Sequence, residues 1–257
     1  MIPRLDSTAV VASPTLGLLI FDRSVNAFQY YNGTTWIQIG ADLESVTLGI
    51  NNAMEDTESV AVGKNNTVTQ DASSVIGIAN QANASNNSAF GYGNITNGPA
   101  NSAFGNETSL FESSALGFSN RSSNNQSVAF GHTNEALGTK SVAVGGGNRA
   151  TANNANALGQ NNVVSANNCL AVGRQNQVNH QDGQVFGQFN VISADSSSAI
   201  GYSNQITGAN SHVYGKNNMT DGRDITIFGH DNTISSRDGI AVGRSNQINS
   251  IYNLTFG

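Results

Sequence analysis

Apolar positions recur along most of this chain at a fixed distance, and glycine marks the register. Glycines run from Gly49, Gly63, Gly77 and Gly91 to Gly257, with fourteen intervals of 14 residues and one of 12, between Gly105 and Gly117. The residue before each glycine is bulky and apolar (Leu48, Val62, Ile76, Phe90, Phe104, Leu116, Phe130). The residue two before is usually small (Ala61, Ala89, Ala103, Ala115, Ala129). Five after the glycine the chain is again apolar or Thr, as at Val68, Ala82, Val164, Val178, Ile192 and Ile206. A short fixed period of this kind marks a solenoid, in which each repeat buries its apolar side only by stacking on its neighbours. Fourteen residues accommodate two strands of four or five residues and two tight turns. Helix is not expected, because Gly and Asn recur throughout and both are poor in helix interiors.

Three residues after the glycine stands Asn in fourteen of fifteen repeats, from Asn52 to Asn246, and Thr108 holds that count in the short repeat. The column includes Asn66, Asn80, Asn94, Asn120, Asn134, Asn148, Asn162 and Asn176. Two structural roles are open to it. Asn tolerates the left-handed turn conformation, and identical amides stacked in register hydrogen-bond along the axis as a ladder.

Residues 1–43 lie outside the repeat, which occupies 44–257. Leu16–Asp22, Ala27–Tyr31 and Thr35–Ile39 read as three strands joined by turns at Asp22–Asn26 and Asn32-Gly33, the second a hairpin signal. Three short strands are marginal alone. This meander is expected to dock on a partner or to cap the first coil, with Trp36, Tyr30 and Tyr31 as its candidate docking residues. The apolar stretch of Val10–Phe21 follows Asp6 and is broken by Pro14, so a cleaved leader is not expected. At the other end the sequence stops within a repeat, and continuation past Gly257 is expected.

Composition sharpens the picture. Lys and Arg number 11 against 17 Asp and Glu, a net charge of −6, and charged residues are only 11% of the chain. Eleven scattered cations offer no phosphate-binding stripe, so no nucleic-acid partner is expected. No run of 18 apolar residues exists to insert as a membrane helix. The lone Cys169 excludes an intrachain disulfide. Scarcity of charge suits stacked coils, because like charges directly opposite on neighbouring strands are destabilising.

A 14-residue coil offers about four inward positions, and many hold Ala. Such a core is too slight to offset the ordering of every backbone residue. The bulky row before the glycines must therefore bury itself against something besides its own coil, and a closed homo-oligomer about the long axis is the economical solution.

Runs such as Ser59-Val60-Ala61-Val62-Gly63, Ser127-Val128-Ala129-Phe130-Gly131 and Ser141-Val142-Ala143-Val144-Gly145 resemble the YadA-like head repeats of trimeric autotransporter adhesins. The resemblance covers residues 44–257. It implies an all-β, left-handed parallel β-roll of 14-residue coils with three chains side by side, a homotrimer. The meander, in turn, looks like small modules at the start of phage and bacterial fibre proteins. The chain lacks the heptad stalk and membrane-barrel segment of the autotransporters.

Conventional site chemistry is sparse. His132 and His230 share the column after the glycine but lie seven repeats apart, over ~30 Å at ~4.8 Å per coil. That column also holds Lys64, Tyr92, Arg174, Gln188, Lys216 and Arg244, a tolerance that marks a solvent face. Neither a metal nor a cofactor is expected. Glu107 and Glu112 flank the short repeat, and a carboxylate pair could cleave a glycan, but no supporting shell accompanies them and no enzyme is expected. Tyr92, Phe118 and Tyr202 are candidate surface contacts. The expected function is a structural fibre of a phage, phage-tail-like particle or contractile injection system. It would be anchored to particle proteins through residues 1–43 and carry a rod of ~70 Å towards a host glycan or protein receptor. Its place would be the virion or an extracellular particle. The alternative is an adhesin head on a bacterial surface.

Overall fold

A computed structural model of the chain describes residues 2–39, 45–55, 58–105 and 107–257. The chain divides into two compact units, Met1–Val46 and Thr47–Gly257.

The second unit is a parallel β-solenoid, and no α-helix occurs among the described residues. Each coil contributes one strand to a 16-stranded sheet and one to a 15-stranded sheet. Neighbouring strands pair in parallel, 14 residues apart, as in Val128↔Val142, Ala129↔Ala143 and Phe130↔Val144. The two strands of a coil are unequal. A long strand such as Val128–His132 carries the residues around the glycine, and a short one such as Glu135–Ala136 follows the turn. Two similar strands of four or five residues were expected. The inequality arises because two turns consume the rest of the coil, each containing a residue with positive φ. These turn residues recur every seven positions and are mostly not glycine, as at Asn65 (φ 55°), Ala72 (φ 56°), Ala79 (φ 57°) and Asn86 (φ 61°).

Four side chains per coil point inward, as in Ser59, Ala61, Asn66 and Val68, all essentially inaccessible. Two of the four are apolar and small to medium; the other two are polar and build ladders. In the asparagine ladder, Asn162 Nδ2 donates to Asn148 Oδ1 (3.0 Å), Leu158 O (3.0 Å) and Gly173 O (2.9 Å). Its own Oδ1 accepts from the backbone and side-chain amides of Asn176, both at 3.0 Å. The same pattern joins Asn66 to Asn80 and Asn94, and Asn120 to Asn134 and Asn148. The ladder residues lack positive φ; the left-handed conformation belongs to the residue before each of them, such as Asn161 (φ 54°) before Asn162. Of the two roles open to the column, the ladder is the one it performs.

The second ladder uses the residue four before the glycine, where Ser73 N donates to Ser59 Oγ and Asn87 N to Ser73 Oγ, both at 3.1 Å. Cys169 stands in this column as a serine surrogate. Its thiol reaches His180 O at 3.0 Å and its sulfur accepts from Gly183 N at 3.3 Å. Burial pushes the thiol's pKa up, which suits a structural rather than a reactive cysteine.

In the first unit, β1 (Arg4–Leu5) pairs in parallel with β2 (Leu19–Asp22), which continues antiparallel through β3 (Ala27–Tyr31) to β4 (Trp36–Ile39). Alternation along the strands places Leu19, Phe21, Phe28, Tyr30, Ile37 and Ile39 on one face. Ile20, Asp22, Ala27 and Gln29 are on the other, all buried. The buried Asp22 carboxylate accepts from Ser24 Oγ (2.6 Å), Ser24 N (2.8 Å) and Thr8 N (2.8 Å), which ties the chain before β2 to the turn after it. These bonds, that from the Ser24 hydroxyl foremost, hold the Asp22 pKa below its usual value.

Two outcomes follow. A group with a depressed folded-state pKa contributes stability that is complete above the unfolded carboxylate value of about 3.9 and is lost as pH falls through the lower folded value. Acid titration followed by the emission of Trp36, the single tryptophan, is therefore expected to show the first unit loosening below about pH 4. D22N should remove that acid step and unfold more easily at pH 7. In the solenoid, N162A leaves several buried partners unbonded and is expected to cost about 3–5 kcal/mol in chemical denaturation. N162D, which buries a charge, should do no better.

Candidate functional site

The long sheet turns its remaining side chains outward in three columns: three before, one before and one after the glycine. The column one before is apolar in every coil and lies partly or largely exposed in the single chain. Ile76 is 41% exposed, Leu116 45%, Phe130 48% and Phe228 47%. Neighbours along it stack at the coil spacing, Phe90 on Phe104 at 5.0 Å and Tyr214 on Phe228 at 4.8 Å, nearly parallel in both pairs. The inward face of the same strands carries a row of Ala and Val, with Ile227 in one coil. The bulky row therefore forms an apolar ridge along the sheet, outside the core of its own coil.

The column after the glycine is mixed and mostly exposed, with Lys64, Tyr92, Arg174 and Arg244 beside Ile50 and Ile78. The 12-residue repeat interrupts this column. Most coils place three residues between the glycine and the short strand, as Tyr92-Gly93-Asn94 and Phe118-Ser119-Asn120 do. Between Gly105 and Glu107 there is one, Asn106, which lies outside the described residues. The register on either side fixes what was deleted. Ala89, Ala103 and Ala115 align, and so do Thr96, Thr108 and Ser122. Thr108 thus belongs to the column five after the glycine and is no exception in the asparagine column. Counting forward from Gly105 misplaced it because the two missing residues precede it. They are the residue after the glycine and the positive-φ turn residue. The turn closes without them, with Ser119 N donating to Gly105 O (3.2 Å) where Thr133 N donates to Phe118 O (2.9 Å).

A cleft of about 700 Å³ lies on the surface beside the short repeat. Tyr92 and Phe118 border it from the coils on either side, 76% and 69% exposed. Across the turn the cleft is lined by Glu107, Arg121 and Glu135, and Asn120 of the ladder contributes to it. The three charged residues belong to one row on the short sheet, in which Glu107, Arg121, Glu135 and Arg149 are successive partners of alternating sign. Arg149 Nε donates to Glu135 Oε2 at 2.9 Å. Sequence reasoning passed over this row, although four charges of alternating sign at 14-residue spacing are visible in the chain. The interior of the short coil also keeps two polar atoms without a partner, Asn101 Nδ2 and Thr108 Oγ1.

No family model matches this chain, and no curated protein matches it.

The structure brings two of the three aromatic candidates together at the cleft. Tyr202 lies six coils beyond Phe118, edge-on to Phe189 (5.4 Å) and beneath the Lys216 ammonium (5.6 Å). The docking candidates are also divided. Tyr31 and Trp36 pair on one face of the first unit's sheet, rings 5.5 Å apart, whereas Tyr30 lies opposite Ile37 on the exposed apolar face. Glu112 takes a hydrogen bond from Gln126 Nε2 (2.8 Å) and is not among the residues lining the cleft that contains Glu107. The histidines serve separate contacts: His180 with Asp195, His212 with Ser198 and His230 with Asp231. Among the described residues no group of three metal-ligating side chains converges, and no helix is long and apolar enough to cross a membrane.

The unpartnered Thr108 hydroxyl yields a test of the register. Its column neighbours elsewhere are Val68 and Val164, so T108V removes an unsatisfied buried polar atom at matched shape. It should stabilise the chain by about 1 kcal/mol in urea denaturation.

Proposed function

We propose that this chain is the shaft of a homotrimeric fibre of a phage or phage-tail-like particle. It is anchored through residues 1–43 and holds an attachment surface away from the particle. The observation that carries this reading is the apolar ridge. A row of Leu, Ile, Val, Phe and Tyr, repeated on every coil and left largely outside the core of the single chain, demands a partner whose own surface repeats at the same spacing. A second and third copy meet that demand, because identical solenoids share the coil height and a closed ring leaves no ridge uncovered.

The exposed apolar face of the first unit, from Leu19 to Ile39, gives a fibre of this kind its docking surface. The low charge and polar outer columns suit an extracellular particle that must stay soluble at high local copy number. Three chains acting together convert weak individual contacts with a host glycan or protein into avidity. The repeat motifs also suit an adhesin head on a bacterial surface; neighbouring genes for particle proteins or for an outer-membrane barrel decide between the two.

Sedimentation equilibrium is expected to give a mass of about 80 kDa for three copies of the 26.7 kDa chain. Placing aspartate on the ridge at Phe130 and Phe228 should shift the mass towards the monomer and lower the melting temperature. A wild-type monomer at micromolar concentration would refute the shared-core reading.

A further inference from the structure

Each coil has two turns, and the charges of the solenoid are sorted between them. The turn after each glycine carries Lys64, Arg174, Lys216 and Arg244, all exposed, and among the described residues a single carboxylate, Asp231. The turn after each short strand is acidic. Glu58, Asp182, Asp224 and Asp238 occupy its positive-φ position, with Asp71 and Asp221 beside it in their own coils. A five-residue strand holds the two turns ~16 Å apart, so the opposite charges do not meet within one chain. Arg174 and Lys216 lie over the rings of Phe189 and Tyr202, and among the described residues none of the four cations forms an ion pair.

We propose that the basic edge of one copy docks against the acidic edge of the next, and that this pairing sets the copies parallel and in register. The inference rests on the shared-core association proposed above and supplies what the apolar ridge lacks, a direction. The ridge repeats on every coil, so ridge packing alone accepts an antiparallel neighbour or one displaced by whole coils. Rotation about the long axis carries the first-turn edge of each copy to the second-turn edge of its neighbour, and so brings unlike edges together. An antiparallel neighbour facing the same ridge would set basic edge against basic edge and acidic against acidic.

The heights of the charges carry the argument further. In a closed ring all copies share one height, so a first-turn residue faces the second turns half a coil before and after it. Lys64 then lies between Glu58 and Asp71, and Arg174 beside Asp182. Lys216 lies beside Asp221 and Asp224, and Arg244 beside Asp238. Arg223 Nε is already 3.3 Å from Asp224, which leaves Asp221 for Lys216. The one reversed charge is matched as well, since Asp231 falls between Arg223 and Arg237. Of the remaining second-turn charges, Glu55 shares the height of Glu58. Glu112 and Asp195 have partners in the chain, Gln126 Nε2 at 2.8 Å and His180 Nδ1 at 3.3 Å. Lys140 faces no carboxylate. Exposed pairs contribute little individually and are screened by salt. Their effect is on orientation, where juxtaposed like charges are costly.

Three variants of the full chain test the pairing. K64E/R174E/K216E/R244E makes the first edge acidic, E58K/D182K/D221K/D238K makes the second basic, and the third variant combines all eight substitutions. Lysine is accepted at the positive-φ turn position, which Lys140 holds at φ 57°. Each single-edge variant should keep its far-ultraviolet spectrum and raise the dissociation constant for association at least about tenfold at low salt. That difference should shrink above ~0.5 M salt. The combined variant should return to wild-type association, a rescue that a folding defect cannot mimic. Spin labels on S245C should lie within ~40 Å of one another, whereas antiparallel copies would hold them ~60 Å apart. Association indifferent to single-edge reversal, a combined variant that stays dissociated, or widely separated labels would each overturn the pairing. Sedimentation of the wild type separates the two readings. A monomer removes both, while an oligomer untouched by salt and by edge reversal removes the edge pairing alone.

Discussion

The structure depends on one close approach, repeated in nearly every coil. At Gly173 the backbone runs at φ +126°, and a Cβ there would be driven into the carbonyl of Gly187 in the next coil. That same carbonyl accepts a hydrogen bond from Asn176 Nδ2 at 2.7 Å. The glycine column and the asparagine column are thus one device. Absence of a side chain lets the next coil's carbonyl settle into the turn, and the amide three residues on holds it there. Neither column is useful without the other. A glycine without the amide would leave a buried carbonyl unbonded, and an amide without the glycine would find its acceptor sterically excluded.

This device accounts for a core that would otherwise be too meagre. In many coils two of the four inward positions are polar, yet they are bonded along the axis, so burial is combined with a hydrogen-bond ladder; where the serine column lapses, Ala155 and Ile225 fill it. Aromatic side chains do not join them among the described residues: the space between the two sheets of a coil holds Ala61, Val185 or Ile227 but no ring. They occupy the outward face of the long strands, where the same alternation that keeps Ala inside sends Val, Leu and Phe out. The ridge is therefore a geometric consequence of thin coils as well as the strongest argument for association.

Much of this was legible in the sequence because each residue answers to a translational repeat. Glycine spacing gave the coil, the small residue before the apolar one gave the inward row, and Asn66 to Asn176 gave the ladder. What the sequence left open was conformation within the coil. Recurrence singles out Asn162 over Asn161, but it does not say which of the two adopts the left-handed turn, since both are asparagine. The positive-φ position also accepts Ala79, Thr133 and Phe189, so it has no residue signature. The short repeat was visible as a number, but its register was not. A count from Gly105 cannot tell whether residues are missing before or after the turn, and only the alignment of Thr108 with Thr96 and Ser122 decides it. The division of Tyr30 from Tyr31 and Trp36 follows simple strand alternation and was available once the strand ends were fixed.

Repetition also explains why the one irregularity matters. In a stack of equivalent coils, every outward position is presented many times at one spacing, which serves association with an equally periodic partner and gives no single place for a compact ligand. The short repeat breaks the period on the surface without breaking it in the core. Inside, Ala89, Ala103 and Ala115 remain in line, and the short strands keep their pairing through Glu107 and Thr108. Outside, one residue of the exposed column is gone, and Gly91 meets no carbonyl of the next coil where its counterparts do. Among the described residues the interior there holds two unpartnered polar atoms, Asn101 Nδ2 and Thr108 Oγ1, a local loss that the stacking on either side can carry.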